Sequence, residues 1–234
     1  AGLRLQEGMD ALNGFGKLYT CQALASGVIP QIQAVFGSCG GGMAVASAMA
    51  DFTFMEEKAK LFVNSPNALE GNSADTSNAK FQSEEAGNVC MTGSEEEILS
   101  AIHTLVSVLP ANNEDDMSYD ECEDDLNRIC EGLENCAGDT ALALAMISDD
   151  SFYMEMKKSY APNMVTAFIR LNGTTVGCVA NRRETYENGE KTAEYDSSLT
   201  AQGCEKAADF VNFCDAFNIP VLTLVNVSGY KGCK

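Results

Sequence analysis

The chain has 234 residues, 45% of them hydrophobic and 21% charged, and a formal net charge of −19. That is enough for one large domain or two halves with cores of their own. The charge repels phosphate backbones and anionic lipid, which argues against nucleic acid as a main partner, and no run of about eighteen apolar residues is present to span a membrane.

No charged–apolar–small leader opens the chain, which starts at Ala1, and both ends read as cut from something longer. The ten cysteines are scattered without a C-x-x-C pair. Reduced thiols, no disulfides and a cytoplasmic location are therefore expected. His103 is the sole histidine and no cysteine pair has ligand spacing, so no metal site is expected.

In chain order, Met9, Leu12, Phe15, Leu18, Tyr19 and Leu24 recur at helical spacing and predict an amphipathic helix over 9–25. Residues 28–37 predict a strand, with Pro30 near its start. Gly40-Gly41-Gly42 then turn the chain into a small-residue helix expected to begin near Met43. DFTFMEE (51–57) and LFVNS (61–65) read as short strands. Ser94, followed by Glu95-Glu96-Glu97, caps a helix that runs to Pro110. Residues 111–140 are strongly acidic but lack the ligand order of a calcium loop, and read as a solvated linker. Residues 164–171 and 174–180 flank Asn172-Gly173, a strong hairpin signal. A helix over 199–217 and an apolar strand over 219–227, expected to be buried on both faces, follow.

The glycine turn is the motif with chemical content. Glycines at a helix start let a ligand approach unpaired backbone N–H groups. Two such groups on one carbonyl oxygen stabilise an enolate or a tetrahedral oxyanion, each worth roughly 3 kcal/mol of barrier. The same glycines also serve tight strand–helix packing, and spacing alone leaves both readings open. Side-chain catalysts are scarce. His103 falls in an apolar helix, Ser38 and Ser47 have no histidine in sequence context, and Cys39 reads as a small buried residue rather than a nucleophile.

Six stretches resemble the carboxyltransferase subunit of biotin-dependent acyl-CoA carboxylases and decarboxylases, of the propionyl-CoA carboxylase β and methylmalonyl- or glutaconyl-CoA decarboxylase α type. They are AGLRLQEG (1–8), GVIPQIQAVFGSCGGG (27–42), DFTFM (51–55), LPANNEDD (109–116), MVTAFIRLNGTTVGCVAN (164–181) and DFVNFCDAFNIPVLTLVNVSGY (209–230). The resemblance implies an α/β fold of tandem crotonase-like halves, both incomplete in this chain. Residues 1–112 would belong to an N-terminal, acyl-CoA half, 113–145 to an acidic linker, and 146–234 to the start of a C-terminal, biotin-side half. It implies carboxyl transfer between carboxybiotin and a short-chain acyl-CoA through an enolate held by backbone N–H groups.

Residue by residue, Gly41 and Gly42 match the oxyanion pair and Gly40 the turn. Gly2, Leu3 and Arg4 match a segment near the CoA pocket, where Arg4 meets either a phosphate or Glu7. Asn64, Ser65 and Pro66 fall at the acyl pocket, with Ser65 in place of a common glycine, and residues 71–82 are shorter than the family pattern. The implied cofactor is biotin on a partner, with no metal. The implied partners are acyl-CoA, a biotin carboxyl carrier protein, biotin carboxylase or membrane decarboxylase subunits, and further copies of the chain in a hexamer. The alternatives are a crotonase-type acyl-CoA hydratase or thioesterase, and a non-catalytic CoA-binding or assembly subunit.

Overall fold

The computed structural model describes residues 7–68, 70–115, 121–187 and 189–232. The first part runs α1 (Gly8–Ala25), β1 (Ile32–Val35), β2 (Ser38–Gly40), α2 (Gly42–Ala48), β3 (Phe52–Glu56), β4 (Lys60–Phe62), β5 (Met91–Gly93) and α3 (Glu95–Val108). The second runs α4 (Thr140–Ile147), β6 (Met154–Met156), β7 (Met164–Leu171), β8 (Thr174–Asn181), β9 (Glu184–Glu187), β10 (Glu190–Glu194), β11 (Ser198–Leu199), α5 (Ala201–Ala216), β12 (Val221–Leu224) and β13 (Gly229–Tyr230).

Two parallel layers carry the first part. Strands β1, β3 and β5 form a sheet in the order β1-β3-β5, and β2 pairs with β4 beside it. β1 is shorter than the expected 28–37. The N–H groups of Val28 and Ile29 both bond back to Ala25, Gly27 turns at φ 70°, and Pro30 has no N–H to donate, so pairing starts at Ile32. α3 begins as expected at Ser94, whose hydroxyl accepts from the Glu97 N–H at 3.3 Å while the Glu97 carboxylate accepts from the Ser94 N–H at 2.8 Å. This reciprocal box satisfies two first-turn donors.

The second part is a sheet in the order β12-β8-β7-β6. The β7–β8 hairpin turns on Asn172 at φ 53° and Gly173 at φ 75°, the left-handed pair that a two-residue turn demands. β12, expected to be buried on both faces, pairs with β8 alone among the described residues, and Val221 and Val225 are exposed. On its other side β12 has no strand partner among the described residues of this chain.

Two further expectations need correction. α1 has no buried residue, and Met9, Leu12 and Leu24 are each at least 66% exposed, so its apolar stripe is largely uncovered in this chain. The acidic stretch is not simply solvated either. Arg128 pairs with Asp124 at 2.8 Å and donates to the carbonyls of Met146 and Ser148 at 2.7 and 2.8 Å, closing the C-terminal end of α4. Asp139, 3% exposed, accepts from the Ala141 N–H to cap α4 and from the Tyr186 N–H to hold β9. α4 thus crosses the boundary expected at residue 145.

One aromatic cluster joins the two parts. The Phe52 ring of β3 lies edge-on to Phe213 of α5 at 4.7 Å and near Phe168 of β7 at 6.1 Å, and Phe168 meets Phe210 at 4.9 Å. Ile98, Leu105 and Val108 of α3 complete this core. Beneath the N-terminal end of α5, Lys206 is 1% exposed and donates to the carbonyls of Tyr160 and Met164 at 2.9 and 2.7 Å.

Candidate active site

The chain climbs β1, turns, pairs β2 against β4 and enters α2 through Gly40-Gly41-Gly42. Each glycine has its own physical reason. A Cβ on Gly40 would stand 2.7 Å from the Phe62 ring. Gly41 adopts φ 62°, ψ −132°, a conformation that side chains disfavour. A Cβ on Gly42 would meet the Tyr19 hydroxyl at 2.8 Å and the Phe15 ring at 3.0 Å. The packing reading of the turn and the open-backbone reading therefore both hold.

The hydrogen-bond inventory redistributes the expected donor pair. The Gly41 N–H extends the β2–β4 ladder by donating to the Phe62 carbonyl at 3.0 Å. The N–H groups of Ala44 and Val45 turn back to the Gly41 carbonyl. Among the described residues no acceptor is present for the N–H of Gly42 or of Met43. Gly41 shapes the turn, while Gly42 and its neighbour Met43 hold the free donors. Sequence reasoning missed Met43 because a side chain name carries no sign of which backbone N–H stays unpaired.

Beside this turn lies a cleft of about 790 Å³ whose walls include Phe15, Phe36, Cys39, Met43 and Phe62. No carboxylate, imidazole or ammonium lines it among the described residues. Burial pushes the Cys39 thiol up from its ordinary value, the opposite of what a nucleophile needs. His103 is on the exposed side of α3. What the cleft offers to a reacting group is backbone.

Asn64, Ser65 and Pro66 follow β4 but are not among the residues lining the cleft. Ser65 accepts the Ala68 N–H at 2.8 Å, and Pro66 opens a single 3-10 turn. Gly2, Leu3 and Arg4 lie outside the described residues. Two residues of α1 that carried no functional signal hold α2 in place. The Tyr19 hydroxyl donates to the Gly42 carbonyl at 2.8 Å, and the Gln22 amide donates to the Ala46 carbonyl at 3.0 Å. Their signal was the helical spacing of Phe15, Tyr19 and Gln22, which reads as one face of α1.

The sequence that builds this glycine turn and the two packed parts matches the carboxyl transferase domain model over residues 1–234. The chain belongs to the carboxyl transferase domain family, and its fold is crotonase-like. It is 34% identical over 242 residues to the methylmalonyl-CoA carboxyltransferase 12S subunit of Propionibacterium freudenreichii subsp. shermanii, covering 98% of this chain and 44% of that protein. It is 36% identical over 248 residues to a propionyl-CoA carboxylase beta chain of Cereibacter sphaeroides, covering 98% and 46%. A solved structure of transcarboxylase 12S with hydrolysed methylmalonyl-coenzyme A bound superposes with a TM-score of 0.87 at 33% identity, over 100% of this chain and 46% of that one. The chain thus spans a little under half the length of these relatives.

Proposed function

We propose that this chain is the acyl-CoA-binding portion of a biotin-dependent acyl-CoA carboxyltransferase. The observation that carries the reading is the family match over residues 1–234, and relatives named for propionyl-CoA and methylmalonyl-CoA chemistry support a short-chain acyl-CoA as substrate. Residues 1–112 form the acyl-CoA half, and the half that faces biotin begins beyond the acidic stretch, with α4 and the strands that follow it. Biotin arrives on a carrier partner, and copies of the subunit assemble with one another, as in the hexameric transcarboxylase 12S core.

The chain's own part in the chemistry follows from the cleft. A thioester carbonyl oxygen seated at the Gly42 and Met43 N–H groups is polarised by two preorganised donors. Loss of the α-proton, or of a carboxyl group in the reverse direction, puts negative charge on that oxygen. The donors bind this charge more tightly than the neutral thioester, and that difference lowers the barrier. The rings of Phe15, Phe36 and Phe62 on the cleft wall give a bound acyl group apolar surface to pack against. Biotin when bound supplies the carboxyl carrier. Among the described residues after 146 no second glycine turn opens a helix to seat it.

A hydratase or thioesterase would need an acid or base at the cleft, and none lines it among the described residues. The test is carboxyl exchange. The full-length subunit, given methylmalonyl-CoA labelled in its free carboxyl group, should move label to free biotin. Acyl-CoA binding without exchange would instead point to a non-catalytic CoA-binding subunit.

A further inference from the structure

We propose that Tyr19 is a positioning residue that strengthens the donor at Met43. The inference rests on the carboxyltransferase reading above and goes a step beyond it. Tyr19 donates its hydroxyl hydrogen to the Gly42 carbonyl at 2.8 Å. That carbonyl and the Met43 N–H are the two ends of one peptide group. A hydrogen bond accepted at the oxygen draws electron density away from the nitrogen, and the N–H becomes a better donor. It also fixes the rotation of the peptide plane, so the N–H needs no reorientation when charge develops on the bound oxygen.

The surroundings hold the phenol in place. Tyr19 stacks on Phe15 one helical turn earlier, with ring centroids 6.0 Å apart and planes 23° from parallel. Gly42 lets the two rings approach, since a Cβ there would stand 2.8 Å from the hydroxyl and 3.0 Å from the Phe15 ring. Phe15 also lines the cleft itself. One turn of α1 thus touches the cleft with one ring and its donor peptide with the other. Gln22 makes a similar bond to the Ala46 carbonyl, one turn deeper in α2 and away from the cleft. It serves as the internal comparison, a clamp on the same helix that leaves the Met43 peptide alone.

The experiment compares Tyr19→Phe and Gln22→Leu in the full-length subunit. Tyr19→Phe keeps the ring and its stack and removes one O–H. Its kcat for carboxyl exchange should fall about two- to sevenfold, the size of a modest change in one donor's strength, with KM for the acyl-CoA unchanged. Gln22→Leu should lower the melting temperature and leave kcat as it was. A second readout avoids turnover. The carbonyl stretch of bound propionyl-CoA carrying a ¹³C thioester should move back toward its free frequency in Tyr19→Phe and not in Gln22→Leu. If Tyr19→Phe loses only stability, with kcat and the carbonyl band unmoved, Tyr19 is a structural clamp and the proposal is overturned while the carboxyltransferase reading stands. If the unsubstituted subunit exchanges no carboxyl group, both fall together.

Discussion

At Gly41 the backbone stands at φ 62°, ψ −132°, and its N–H is tied to Phe62. Alanine there must hold a disfavoured conformation or release the strand. Gly41→Ala should cost about 1–3 kcal/mol in urea unfolding, and a cost under about 0.5 kcal/mol would mean the turn relaxes freely. Gly42 is a poor place to test catalysis. Its φ is not in the left-handed region, but any side chain meets Tyr19 and Phe15, so valine there disturbs packing along with ligand approach. Met43 is the cleaner position. Proline in the first turn of a helix removes the N–H, and Met43→Ala controls for the lost side chain, which lines the cleft. Met43→Pro should lower kcat for carboxyl exchange about a hundredfold, the scale of one lost oxyanion donor, with circular dichroism and melting temperature near those of the unsubstituted subunit. Normal turnover in that variant would remove Met43 from the mechanism. Cys39→Ser should change turnover little, because the thiol is held in its neutral form by burial.

Elements were legible where their signals were local. The Ser94 cap, the Asn172-Gly173 hairpin and the glycine entry to α2 each depend on residues within a few positions of one another. Ser94→Ala should cost about 0.5–2 kcal/mol, the range for a lost helix cap, and leave carboxyl exchange intact. A loss of exchange would show that α3 reaches the cleft in a way this arrangement does not include. Legibility ended where pairing decides. Apolarity alone read 219–227 as buried on both faces, whereas among the described residues β12 pairs only with β8 and Val221 and Val225 are exposed. Charge alone read 111–140 as solvated, but Arg128 and Asp139 are bound to partners 18 to 47 residues away. The donor at Met43 was hidden for the same reason, since the pairing of Gly41 with Phe62 depends on how β2 and β4 align.

Across the whole molecule, the Phe52–Phe168–Phe213 cluster packs the two parts on one shared core. Phe213→Ala should cost about 3–5 kcal/mol and lower the stability of both parts together. Hydrogen exchange would check this, and protection lost only in the second part would contradict a shared core. Lys206 lies close by, and burial lowers its pKa to about 7. Below pH 7 folded and unfolded chains both hold the proton. Above it the folded chain releases the proton and the unfolded chain keeps it, up to the ordinary lysine range. Stability from this group therefore rises with pH. Relative to Lys206→Met, the unsubstituted protein should gain up to about 1.4 kcal/mol per pH unit between about pH 7 and 8.5, and a flat difference would show an ordinary lysine. We place the thioester oxygen at the backbone donors of Gly42 and Met43. A structure of the full-length subunit with a short-chain acyl-CoA bound measures it most directly. That oxygen should lie about 2.7–3.1 Å from both nitrogens. A thioester oxygen directed at a side-chain acid, or out of reach of both N–H groups, would contradict it.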